Sequence, residues 1–141
     1  MDIIGRKSLL IVMIVFISVA PGCVRVTEAT KSIWGSSTKA LEEARGQALV
    51  KTYQCQTKEC FDKILDVAKE SKMEVFIADR KKQLVVLMHI KGSINTTEVG
   101  IFLSESGVDQ TKIEVTSLSQ NAKEAAANIV FAELKKTFKE I

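Results

Sequence analysis

Three cysteines and a single histidine carry the strongest chemistry in this chain, and their spacing limits what that chemistry is. Cys55 and Cys60 stand five positions apart in "CQTKEC", with four residues between them. Cys55 lies just before a helical pattern and Cys60 in its first turn, a placement that can bring two Cα atoms within the roughly 4.4–6.8 Å a disulfide needs. Three states are open to the pair: a structural disulfide, two free thiols, or a catalytic dithiol whose thiol pKa a helix N-terminus lowers. Redox motifs use two intervening residues rather than four, so the structural bridge is expected, contributing roughly 2–3 kcal/mol. His89 lies in a strand-like run, "QLVVLMHI". A histidine there can act as a general base only if a nucleophile or orienting acid is supplied, and no adjacent motif supplies one. It is expected to be structural. One histidine and three cysteines cannot close a zinc site, and no glycine-rich phosphate loop is present. Glu42 and Glu43 fall in a helical, solvated pattern unsuited to paired-carboxylate catalysis. The chain is therefore expected to have no metal, no cofactor and no catalytic residues.

The elements that must position these residues follow from periodicity. "TKECFDKILDVAKESK" begins at Thr57, the expected N-cap, and places Phe61, Ile64, Leu65 and Ala68 on one helical face. Four strand-like runs follow, each closed by a turn signal. They are "MEVFIAD", "QLVVLMHI", "EVGIFLSE" and "TKIEVTSL". Asn95-Thr96-Thr97 matches a glycosylation pattern but reads as a turn. A final helix, capped by Ser119, carries Ala127, Val130, Phe131, Leu134, Phe138 and Ile141 as one stripe. Upstream, "TKALEEARGQALVKTYQC" reads as a short helix running into a strand. Short connections favour an antiparallel meander. The expected fold is α+β: a two-layer sandwich in which helices flank a four-stranded antiparallel meander (α-β-β-β-β-α), with an additional N-terminal helix or strand.

Alternation assigns the core face of that sheet to Met73, Val75, Ile77, Leu84, Val86, Met88, Ile90, Val99, Ile101, Leu103, Ile113 and Val115. The other face takes Phe76, Val85, Leu87 and Phe102. An open face should turn polar along its strands, and this one stays apolar in its middle. Either the segment from Trp34 to Leu49 or a partner is expected to cover it. Clustered exposed apolar surface marks interaction sites, so Phe76, Val85, Leu87 and Phe102 are the candidate partner-binding face.

The first residues differ from the rest. Arg6 and Lys7 precede an apolar core from Leu9 to Ala20, which Pro21 and Gly22 end. That is the layout of an export signal, and it falls short of the ~20 residues of a spanning helix. Beyond residue 22 the chain holds 18 Lys and Arg against 16 Asp and Glu, interspersed. So even a balance gives no electrostatic footprint for nucleic acid, and none is expected as a partner. Three stretches result: 1–22 as signal peptide, 23–37 as tether and 38–141 as a single α+β domain.

The sequence Ala20-Pro21-Gly22-Cys23 resembles the lipobox of bacterial lipoproteins, with Ala20 and Pro21 where Leu and a small residue are usual. That signal, "WGSSTKALEEAR", the helix-and-sheet body and the helix after "KIEVTSLS" together resemble small uncharacterised bacterial lipoproteins. The resemblance implies that Cys23 is acylated and becomes the N-terminus, tethering the protein to a membrane. Two or more acyl chains anchor stably. Val24 is not the aspartate that retains such proteins in the inner membrane of enteric bacteria, so the outer membrane facing the periplasm is the implied location. An even pair of cysteines left in an exported chain agrees with a disulfide. The expected function is a non-catalytic binding or scaffolding module for another envelope component. The alternatives are a carrier of a small apolar ligand, which needs a pocket of about 300 Å³ or more between helices and sheet, and a thiol-redox protein using Cys55 and Cys60.

Overall fold

Five strands form one antiparallel sheet in a computed structural model that describes residues 37–141. The strands are β1 (Leu49–Gln54), β2 (Glu74–Asp79), β3 (Leu84–Met88), β4 (Val99–Gly107) and β5 (Gln110–Ser117). Helix α1 (Thr57–Glu70) connects β1 to β2, and α2 (Gln120–Thr137) follows β5. The spatial order is β1-β5-β4-β3-β2. The meander β2 to β5 is thus as expected, and the upstream segment supplies a fifth strand beside β5. Thr38–Ile141 makes one compact unit. The expected signal peptide, the tether up to residue 36 and Cys23 lie outside the described residues.

Local chemistry sets the helix ends. Gln56, not Thr57, caps α1: its side chain accepts from the Glu59 backbone, and Glu59 reaches back to the Gln56 N–H at 3.3 Å. This reciprocal pair satisfies two backbone donors that the first turn would otherwise orphan. At the far end Lys72 takes a left-handed φ of 58°, and the Met73 N–H closes on the Ala68 carbonyl at 2.9 Å. That is a Schellman-type stop made without glycine. Ser119 caps α2, its hydroxyl accepting from the Ala122 N–H. The α2 stripe keeps Ala127, Val130, Phe131 and Leu134 buried, but it does not extend to Ile141. Phe138 is already extended. Beyond it the chain crosses to the β1 edge, where the Gln54 N–H donates to Lys139 and the Ile141 N–H to Thr52. Pairing an exposed strand edge outweighs another helical turn here.

Both helices pack on one face of the sheet. Phe61, Ile64 and Val67 of α1 and Ala126, Val130 and Leu134 of α2 meet Tyr53, Val85, Leu87, Ile101, Ile113 and Val115. Leu84, Val86 and Phe102 form a second buried cluster with Leu41, against which Phe76 and Ile77 pack. The face assignment of β3 is therefore the reverse of the one alternation suggested. Register explains it: Val85 pairs with Ile101 and Leu87 with Val99, while Leu84 pairs with Phe102. A bulge between Val75 and Ile77 then moves Ile77 opposite Val86, since one extra residue shifts a strand to the other side of its pleat.

Candidate functional site

Cys55 and Cys60 are joined as a disulfide, their Cα atoms 6.2 Å apart. The capped first turn of α1 returns Cys60 beneath the end of β1, so local folding sets the approach. Both residues are buried, Cys60 fully. Thr111 of β5 locks the corner: its hydroxyl donates to the Cys55 carbonyl at 2.9 Å and lies 3.3 Å from the Thr57 hydroxyl. A cleft of about 480 Å³ opens beside this corner, lined by Gln56, Thr57, Lys58, Gln83, Glu105 and Asp109 among others. Its walls are amides, hydroxyls and charges rather than the apolar surface a carrier of greasy ligands would present. The layer between helices and sheet, where a carrier would need such a pocket, is filled by fully buried side chains such as Ile64, Leu87 and Ile101.

His89 does not sit within a strand. It follows β3 with a left-handed φ of 57°, and its Nε2 lies 3.3 Å from Glu74 Oε2, both side chains half exposed. The pair joins the end of β3 to the start of β2. Asn95 lies in a turn, where the Thr97 N–H closes on the Ile94 carbonyl. Among the described residues no cluster of three or more His, Cys, Asp or Glu is placed to hold a metal, and no helix is long and apolar enough to cross a membrane.

The four residues expected to form one partner-binding face are divided between two. Val85 and Leu87 lie in the helix-side core with no exposure. Phe102, only 4 % exposed, and Phe76 lie on the opposite side. That side is covered by a strap, helical over residues 37–43 and continuing as a 3-10 turn over Ala44–Gln47. Leu41 enters a notch above Gly100. Arg45 lies over the Phe102 ring, 4.7 Å from its centroid, and pairs with Glu114. Lys112 approaches the other oxygen of Glu114 at 3.7 Å. The strap ends where the nearly buried Lys123 donates to the Gln47 carbonyl at 2.7 Å, a cation at a helical C-terminus.

Sequence reasoning singled out neither Leu41, Arg45, Gly100 nor Glu114 as functional. The i, i+4 spacing of Leu41 and Arg45 is visible in the sequence; their pairing with positions 100 and 114 is not. No protein-family model matches the chain, and no curated protein matches its sequence.

Proposed function

We propose that this chain is a lipid-anchored envelope protein whose folded domain binds or scaffolds another envelope component without catalysing a reaction. In this reading Cys23 carries the acyl chains, and the domain faces the periplasm from the outer membrane. The observation that supports it best is the buried bridge between Cys55 and Cys60. Such bridges persist in oxidising compartments, where an export signal delivers its cargo. The bridge also lies largely inside the fold, Cys60 fully buried and Cys55 4 % exposed at the edge of the polar cleft, unlike the exposed sulfurs of exchange catalysts. His89, the other reactive group, is engaged with Glu74.

The test is the intact mass of the protein extracted from native membranes without reductant. Loss of residues 1–22, a mass increment for acyl chains and a two-dalton deficit for the bridge are expected. A full-length or unacylated mass overturns the anchor. Crosslinking in intact cells should then capture one discrete envelope protein; recovery of only nonspecific neighbours overturns the binding role.

A further inference from the structure

The strap is made of little. From 41 to 47 only Leu41 is buried, at 2 % exposure; Ala44 is half-buried, and Glu42, Glu43, Arg45, Gly46 and Gln47 are exposed. The face beneath it is the opposite: Leu84, Val86 and Phe102 are buried, and Glu114 is a nearly buried carboxylate at the edge. A segment with few buried apolar groups opens locally at far less cost than the sheet under it. Two of the strap's side chains, one helical turn apart, make its defined contacts with this face, Leu41 at the Gly100 notch and Arg45 at Phe102 and Glu114, while Lys123 holds its end at the Gln47 carbonyl.

We propose that residues 41–47 form a removable strap, and that the Phe102 face receives a partner's short helix bearing an apolar side chain followed four residues later by a basic one. The proposal rests on the binding-module reading above and names its surface. Charge complementarity selects the occupant. Glu114 keeps a carboxylate beside an aromatic ring, a site for a planar cation that both stacks and pairs. The helix supplies that cation at the i+4 position, which an apolar knob in the notch brings over the ring. A second copy of this chain would exchange one strap for an identical one and gain no new contact on this face, so a partner protein is the occupant. The strap then acts by competition: it occupies the site in the free protein, and a helix with a better match displaces it.

The experiment uses the full-length chain in detergent and a labelled peptide, STKALEEARGQA, identical to residues 37–48. Binding is followed by fluorescence anisotropy to the native protein and to a Leu41→Ala, Arg45→Ala variant. The variant is expected to bind at least tenfold tighter than the native protein, and adding Glu114→Gln to it is expected to remove most of that gain. In the unmutated protein, amides of residues 42–47 should exchange with solvent at least a hundredfold faster than those of Ile101–Leu103. Equal exchange rates, an unfolded variant, or no difference in peptide affinity would each show the strap to be a fixed part of the fold and overturn the proposal. Dimerisation of the variant detected by light scattering would assign the face to a second copy and overturn it too. None of these results bears on acylation of Cys23, which the intact mass decides separately.

Discussion

Leu41 occupies the volume that a side chain at position 100 would require: a Cβ on Gly100 would lie 3.2 Å from Leu41 Cδ1. The same added atom would stand 3.0 Å from Thr116 Oγ1 and 3.2 Å from Phe102 Cε2. Three neighbours on two strands and the strap thus close on one missing methyl. Glycine usually weakens a strand interior; here it admits an apolar contact that fastens the strap.

Gly100→Ala is therefore expected to destabilise the domain by about 1–3 kcal/mol, the range for overpacking a filled site. Urea unfolding checks the loss. Combined with Leu41→Ala the effect should be less than additive, because removing the Leu41 side chain relieves one of the three close approaches while the other two remain. Strict additivity would mean that Leu41 does not sense position 100.

Arg45 joins two elements 69 residues apart by stacking on Phe102 and pairing with Glu114. Its guanidinium is partly exposed and the carboxylate nearly buried, so the pair lies between the weak surface case and the strong buried one. Arg45→Ala is expected to cost about 1–2 kcal/mol. Arg45→Lys should recover only part of that, since an ammonium cannot lie flat on the ring while reaching the carboxylate. Full rescue by lysine in thermal unfolding would argue against the stacked geometry.

Some of this is legible in the sequence, and the rest is hidden for definite reasons. Phe61, Ile64, Leu65 and Ala68 repeat at helical spacing, and Ser119 precedes a long apolar stripe, so residue spacing alone places α1 and α2. The meander follows from turn signals between short apolar runs. The faces of β3 cannot be read, because "LVVL" is apolar at every position and alternation has nothing to alternate. Only register against Val99 and Ile101 decides which side faces the helices. The fifth strand is ambiguous since "ALVKTYQC" satisfies either period over its short length. Glu114 gives no signal at all: a lone acid in "TKIEVTSL" reads as solvent-facing until Arg45 is laid across the sheet. The C-terminal turn away from α2 is hidden for a similar reason, as Phe138 and Ile141 fit the helical stripe and only the β1 edge offers them a better partner.

The Cys55–Cys60 bridge closes a loop of only a few residues. Chain-entropy reasoning for a loop this short gives about 2 kcal/mol of stabilisation. A Cys55→Ser, Cys60→Ser variant should unfold at correspondingly lower urea, and reductant should shift the native protein by a similar amount while leaving the variant unchanged. Because Cys60 is fully buried and Cys55 4 % exposed, reduction should be far slower in the folded protein than in the unfolded chain. Rapid reduction under native conditions would contradict the burial.

Tyr53 is the chain's one tyrosine, so its ionisation can be followed directly by phenolate absorbance. Burial pushes its hydroxyl up to about 12 from the ordinary 10, and the nearby Glu140 carboxylate adds to the shift. The phenol donates to the Phe131 carbonyl at 3.3 Å, and the residue is fully enclosed between β1 and α2. The sign follows from which state holds the proton more tightly. Below pH 10 both folded and unfolded chains keep it, so this group's contribution is fully present. Between 10 and about 12 the unfolded chain releases the proton while the fold retains it, so stability falls as pH rises through that window. The absorbance midpoint of the native protein should accordingly lie near 12, and in urea near 10. Glu140→Gln should lower the native midpoint only slightly, since burial is the larger cause. A native midpoint near 10 would mean that water reaches the ring and that the β1–α2 seam is open.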